Sequence, residues 1–383
     1  MALIPENSRR GFRLVVILLC SALPASAETL KLNGKTMGSY YAISIDGAAE
    51  SDAAEIQKEM EVVLADVNRQ MSTWDPESEI SKFNQSDSTD WFPVSPGFAE
   101  VVLESIRLYK FTDGAFDPTV APLIDLWGFG AKRPKSFPTQ EAIDLARSKT
   151  GMQFIEAQLE PPSIRKTRPD LTLNLSALAP GHGSDRLSEQ LTKQGYPAQV
   201  VDIGGEVRAG AIKANGEKWR LGVESPLGEI QRAIELTEKS VSTSGNYRNY
   251  FEYKGVRYSH TIDPATGQPV MNPPASVSVL SDSCMTADGL ATGLMVMGIE
   301  QGLQFAKQQG LSVLFLDVVD GMTIVEHATG EFHARAKFRM QPVAQNLAGE
   351  QRTPFVAILA ILLLAATATV VSLLAKKRVL RDS

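Results

Sequence analysis

Two oxygen-bearing side chains four residues apart, Asp288 and Thr292, are the first candidates for chemistry in this chain. They lie in residues 281–298 (SDSCMTADGLATGLMVMG), after an apolar alternating run over 275–280. That order reads as a strand feeding a helix, with Ser283 or Thr286 as the N-cap. Positions four apart on a helix stack one turn above the other. Leu290, Leu294 and Met297 share a separate apolar stripe, and Asp288 stands about 200° from Leu290 around the axis. A carboxylate near a helix start also suits the positive end of the helix dipole. Such a pair is either a solvated helix edge or two hard oxygen ligands. The second reading suits Mg2+, which takes few protein ligands and leaves room for phosphate.

His260 is the next candidate. It sits where a strand passes into an Asp-Pro turn, in residues 258–269 (YSHTIDPATGQP). Histidine's ordinary pKa lies near neutrality, so proton transfer is one reading and a packed histidine the other. His182 falls in the glycine-bearing residues 174–187 (NLSALAPGHGSDRL), either touching a ligand or standing in a surface turn. Small residues at a helix start let backbone N–H groups approach phosphate, but this spacing is neither a P-loop nor a dinucleotide fingerprint. His327 and His333 flank what reads as a hairpin turn and receive no role. There is no Cys/His cluster of zinc spacing and no Gly-x-Ser-x-Gly elbow. Trp74, in the hydroxyl-rich and loop-like residues 71–84 (MSTWDPESEISKFN), either stacks on a flat ring or simply packs.

The elements that must position these groups alternate between two periodicities. Residues 29–46 read as a strand or hairpin interrupted at Gly38. Ile56, Met60, Val63, Leu64 and Val67 mark an amphipathic helix over 53–70. Further helices are expected over 98–109, 139–149, 185–194 and 301–308. Residues 115–123 are too proline-rich for a regular element, and Asp117 is held extended by Pro118. Residues 128–138 read as a surface loop, and strand-like runs follow as far as Leu175. Strands are expected over 198–203, running into Gly204-Gly205, then over 219–224, 233–240 and from 312, with a polar loop at 242–246. Strands outnumber helices and hairpin turns abound, which favours an α+β fold. No internal repeat is present.

The chain has 383 residues, 21% of them charged, with a net charge of −6, so nothing marks a nucleic-acid surface. Ser8-Arg9-Arg10-Gly11-Phe12, a short apolar core over 14–23 and Ala25-Ser26-Ala27 have the layout of a signal peptide over residues 1–27. The arginine pair fits either a twin-arginine signal or a plain basic start. Residues 353–375 carry no charge and would reach about 34 Å as a helix, enough to span a bilayer. The basic tail over 376–383 would stay in the cytoplasm, leaving the globular part on the periplasmic side of the inner membrane, tethered through a polar linker over 341–352. With the signal removed, Cys284 is the one remaining thiol, either a small buried side chain or a nucleophile.

Seven segments taken together resemble the ApbE family of FAD:protein FMN transferases, over roughly residues 37–298. They are Met37-Gly38-Ser39-Tyr40-Tyr41, residues 71–84, Ala115 to Val120, Asn174 to Arg186, Val201 to Gly205, residues 260–269 and Thr286 to Thr292, in that family's order. The resemblance implies an ApbE-like, T-fold-like α+β domain over 28–340, with two related subdomains and flavin between them. It implies FAD as substrate, Mg2+ as cofactor, and transfer of FMN onto a Ser or Thr of a partner protein with release of AMP. It assigns the metal to Asp288, Thr292 and the Ala177 carbonyl, proton abstraction to His260, and FAD contacts to Met37, Trp74, Ala115, Phe116, Asp117, Asn174, Pro180 and Ile262. The implied acceptor carries Asp-x-x-Ser/Thr-Gly-Ala-Ser/Thr and belongs to a membrane electron-transfer complex. The family usually has Asp where this chain has Asn174, and often Lys where it has Pro180, so an ion pair is lost there. A non-catalytic flavin-delivery protein and an FAD pyrophosphatase are the alternatives.

Overall fold

The structure, a computed structural model, describes residues 29–130, 137–228, 230–246, 250–253 and 255–334. The expected signal segment, linker, apolar C-terminal segment and basic tail lie outside those residues. Among the described residues no helix is long and apolar enough to cross a membrane.

Eight strands form the main sheet. Across it they run Thr29–Thr36, Ser39–Asp46, Gln199–Ile203, Glu206–Ala209, Lys239–Gly245, Ser276–Ser281, Ser312–Val319 and Thr323–Ala328, with every neighbouring pair antiparallel. The first hairpin turns through Met37 and Gly38, both at positive φ (51° and 71°), the geometry that matches the twist of paired strands. Helices Ala179–Lys193 and Cys284–Gln308 pack on each other and on the central strands. The α+β expectation is met.

The helix Cys284–Gln308 starts on Ser283, whose side chain accepts the Thr286 N–H. Its apolar stripe enters the core, with Leu290 and Leu294 buried. It breaks at Gly298 (φ 73°, ψ −178°), so the expected helix over 301–308 is its continuation beyond a kink. Two glycines set how close its neighbours come. A Cβ on Gly289 would meet Leu108 Cδ1 at 2.4 Å, and one on Gly293 would meet Phe116 Cβ at 3.3 Å. That close approach brings Ala115 to Asp117 beside Asp288 and Thr292.

Several expectations are corrected by local chemistry. Residues 71–84 are not all loop: helix Glu79–Gln85 begins on Ser78, whose hydroxyl accepts the Ser81 N–H. Helix Ala121–Trp127 occupies part of the proline-rich stretch, because Pro122 sits in the first turn, where a missing N–H costs nothing. For the same reason the helix expected over 185–194 begins earlier, at Ala179, with Pro180 in its first turn. Residues 242–245 continue the strand Lys239–Gly245 rather than forming a polar loop. The turn between the last two strands is at 320–322, not between His327 and His333, and His333 lies in the short helix Gly330–Ala334.

Candidate active site

A cavity of about 330 Å³ opens where the sheet, the long helix and three loops meet. Its wall includes Ala115, Phe116, Asp117, Asn174, Ala177, His260, Ile262, Asp288 and Thr292. An adjoining cavity of about 490 Å³ shares Ile124, Asn174, Ser176 and His260 with it and carries Trp74 and Asn84. Expected site residues from five separated segments, 71–84, 115–120, 174–186, 260–269 and 286–292, therefore converge. Met37 and Pro180 line neither cavity. Met37 is half-buried against the helix Ala179–Lys193, where its Cε stands 3.2 Å from the place a Gly183 Cβ would take.

Asp288 is held from outside its own helix. Its carboxylate accepts the Gly181 N–H at 3.1 Å, and the residue is only 6% exposed, so it is not on a solvated edge. The approach is possible because Gly181 has no side chain: a Cβ there would meet the Cys284 carbonyl oxygen at 2.6 Å. The glycines of 181–183 thus serve helix packing, and the Gly181 N–H is taken up by the Asp288 carboxylate. Asp185 anchors the start of the long helix by accepting the Cys284 and Met285 N–H groups at 3.0 Å and the Ser283 hydroxyl at 2.9 Å. Cys284 is buried within this arrangement, and burial pushes its thiol well above its usual range, the state of a packing residue rather than a nucleophile. His182 is likewise no surface residue. It is 4% exposed inside the helix, and burial lowers its pKa to about 4.

The strand Lys239–Gly245 supplies a wall that composition hid. Ser244 Oγ lies 3.3 Å from Thr292 Oγ1, and Ser242 Oγ donates to Glu206 Oε1 at 3.4 Å. Serines at 240, 242 and 244 alternate, a period-two pattern that was the available signal for a strand here. Burial raises the Asp288 carboxyl well above the usual range, and Glu206 raises it further, against the Gly181 and Ser242 hydrogen bonds. Burial and then Asp202 push Glu206 up to about 8. The charged neighbours acting on Asp288, Glu206 and Asp185, are both acidic. A buried carboxylate with acidic neighbours, a hydroxyl one turn on and a carbonyl-bearing loop opposite fits a hard divalent cation. No cluster of three His, Cys, Asp or Glu residues able to hold a metal occurs among the described residues. Such a cation would therefore depend on hydroxyl, carbonyl and substrate oxygens besides Asp288.

The other walls are loops braced by side chains. Asp117 is buried, and its Oδ1 accepts the Thr119 N–H at 2.8 Å and the Thr119 hydroxyl at 2.6 Å. Burial raises its pKa against those bonds. Asn174 follows a segment that Asn84 pairs like a strand, accepting the Leu173 N–H at 2.7 Å and donating to the Leu173 carbonyl at 2.8 Å. His260 is half-buried, with its ring 6.3 Å from that of Phe129 at 69°. Beyond it, Trp127 Nε1 donates to the Gly267 carbonyl at 2.8 Å and pins the Asp-Pro turn. Trp74 is 80% exposed.

Residues 37–315 match the model of the ApbE family. The chain belongs to the ApbE family. It is 43% identical over 324 residues to the FAD:protein FMN transferase of Vibrio cholerae serotype O1, covering 83% of this chain and 96% of that one. The FAD:protein FMN transferase of Escherichia coli K12 is 35% identical, with 76% and 85% covered. Among solved structures, the flavin transferase ApbE from Vibrio cholerae superposes with a TM-score of 0.74 at 41% identity, covering 81% of this chain and 99% of that one. The apo form of the Pseudomonas stutzeri flavinyl transferase ApbE gives 0.75 at 34% identity, with 82% and 98% covered. The ApbE fold is thus shared along most of the chain, and the cavity lies within the matched residues.

Proposed function

We propose that this ApbE-family chain is an FAD:protein FMN transferase that uses Mg2+, with the cavity above as its active site. One observation carries the reading: an oxygen-ligand pair, a histidine and five of the expected FAD-contact residues, Ala115, Phe116, Asp117, Asn174 and Ile262, line one cavity though they come from distant segments. Relatives named FAD:protein FMN transferase over most of the chain support the reaction.

Asp288, Thr292 and the Ala177 carbonyl would hold the cation. When bound, Mg2+ supplies charge neutralisation for the oxygens of the pyrophosphate under attack. His260 takes the proton from the acceptor Ser or Thr hydroxyl. A bond forms between that oxygen and the FMN phosphorus, the bond to the bridging oxygen breaks, and AMP departs. Trp74, Ala115 to Asp117, Asn174 and Ile262 hold the dinucleotide, with Trp74 closing over a flat ring. Asn174 and Pro180 carry no charge at positions where relatives of the family usually carry Asp and often Lys. The acceptor is a protein displaying Asp-x-x-Ser/Thr-Gly-Ala-Ser/Thr, a subunit of an extracytoplasmic or membrane electron-transfer complex. The signal-like sequence over 1–27, the uncharged apolar run over 353–375 and the basic residues after it support a location on the periplasmic face of the inner membrane.

The test mixes the full chain, FAD, Mg2+ and an acceptor protein with that motif, and reads the acceptor's intact mass. An FMN adduct with AMP release is expected. Free FMN and AMP without an adduct mean hydrolysis, and unchanged FAD means binding alone; either overturns the transferase reading.

A further inference from the structure

The strand Lys239–Gly245 ends with one edge open into the cavity, and we propose that this edge docks the acceptor's Ser/Thr-bearing segment as an added β-strand. The inference deepens the transferase reading and rests on it.

Residues along an antiparallel ladder turn their N–H and C=O alternately to one edge and the other. Asn246 N–H donates to the Ala275 carbonyl at 2.9 Å, and the register pairs Ser244 with Val277 and Ser242 with Val279. The even-numbered residues therefore bond to the strand Ser276–Ser281. Lys239 and Val241 face the other way, opposite Ala209 and Val207. Thr243 and Gly245 share that second edge, but pairing there stops at Val241. It stops because the neighbouring strand begins at Glu206, just after the chain has reversed through Gly204 and Gly205, both at positive φ (69° and 113°). Among the described residues, nothing bonds to the backbone N–H or C=O of Thr243 or Gly245 on that edge.

Both residues line the cavity that holds His260, Asp288 and Thr292. Two donor–acceptor pairs thus stand on the wall of that cavity at a repeat of about 6.8 Å, two residues of strand. Both residues are half-buried, and an unpaired strand edge is a ready template for a further strand. A dinucleotide has a base edge at each end and no donor–acceptor repeat at that spacing, whereas an extended polypeptide does. Pairing through main chain also suits an enzyme whose second substrate is a protein segment, because it fixes register without reading every side chain. A segment laid there would run beside Ser244 and Thr292, which are 3.3 Å apart.

The experiment uses the full chain with FAD, Mg2+ and synthetic peptides of the Asp-x-x-Thr-Gly-Ala-Thr segment, each N-methylated at one backbone amide. Transfer is read by mass, and each peptide is also run as a competitor of the intact acceptor protein. Strand pairing predicts alternation: methylation at every second amide lowers kcat/KM, or raises Ki, by about tenfold, the worth of one lost hydrogen bond. Intervening positions stay within about twofold. Equal loss at every position, no loss anywhere, or no competition by any peptide overturns the proposal. In a second arm, Gly245→Pro deletes one donor and raises KM for the acceptor protein more than KM for FAD. An unchanged acceptor KM in that variant, with FAD still bound, is equally fatal. Failure of the intact acceptor to gain FMN from the unaltered chain would instead overturn the transferase reading.

Discussion

The two sides of the cavity are built in opposite ways. Asp288, Thr292 and Ser244 stand on a helix and a sheet strand, and Asp288 is fixed by a backbone N–H from a second helix. Across from them, Trp74 stands 80% exposed on a bend between helices, and His260 and Asn174 lie on loops. The first side has its shape before any ligand arrives. On the second, Trp74 is the group left open for a ligand to lie against. Groups that meet developing charge need placement within fractions of an ångström, which elements supply, while recognition of a large flat ligand tolerates a mobile partner.

Asp288→Asn breaks the comparison most severely. Loss of the charge is expected to lower the transfer rate by about three orders of magnitude, several kcal/mol of electrostatic stabilisation. Burial already favours the neutral acid in the free protein, so the variant should melt no lower than the parent chain. A rate loss accompanied by a large drop in Tm would mean that Asp288 holds the fold and not a cation. On the open side, Trp74→Ala is expected to weaken FAD binding by about tenfold, the scale of one stacking contact, with kcat at saturating FAD nearly kept. Flavin fluorescence gives the affinity, and an unchanged value would make Trp74 a bystander.

The rigid side was the more legible one in the sequence, and for a physical reason. A four-residue spacing after a strand has one geometric meaning on a helix, so Asp288 and Thr292 were correctly placed on one face and Leu290 and Leu294 in the core. What the spacing could not show was burial by another element: Gly181 reaches Asp288 across more than a hundred residues of chain. Ser242 and Ser244 escaped notice because serine reads as loop composition, so their strand order was outweighed by polarity; Glu206 stands on a separate strand, Glu206–Ala209, whose spacing carries no sign of Asp288. The loops were legible only as motifs. Nothing in the periodicity of residues 115–119 or 171–175 announces that Thr119 clamps Asp117 or that Asn84 pairs with Leu173. The helix Ala121–Trp127 was missed because its prolines read as breakers, and the helix from Ala179 was started late because glycines read as a turn, although proline suits the first turn of both.

A smaller effect sharpens the electrostatics of the rigid side. Glu206, pushed up to about 8, and Asp288, raised beside it, must lose protons for a cation to enter. The Mg2+ concentration giving half-maximal transfer should therefore fall as pH rises from 7 to 9. Glu206→Gln removes the like charge, lowers the Asp288 pKa and moves that dependence to lower pH. Manganese titration followed by electron paramagnetic resonance reads the same shift without turnover. A pH dependence identical in both chains would remove Glu206 from the site's electrostatics.

The smallest expected effect concerns what supports that side. His182 is buried in the helix whose Gly181 grips Asp288, and burial, with Arg186 adding and Asp66 opposing, lowers its pKa to about 4. In the unfolded chain its pKa returns to about 6.5. Between those values the unfolded chain binds a proton that the fold refuses, so the contribution is complete above the unfolded pKa and is lost as pH falls toward 4. The loss amounts to about 3 kcal/mol at most. His182→Leu removes the proton site, so its Tm should fall less than that of the parent between pH 7 and pH 5. If the helix is what keeps the rigid side rigid, manganese affinity should follow the same divergence, with FAD affinity at Trp74 following it less. Parallel Tm curves for the two chains across that window would show that His182 does not titrate with folding.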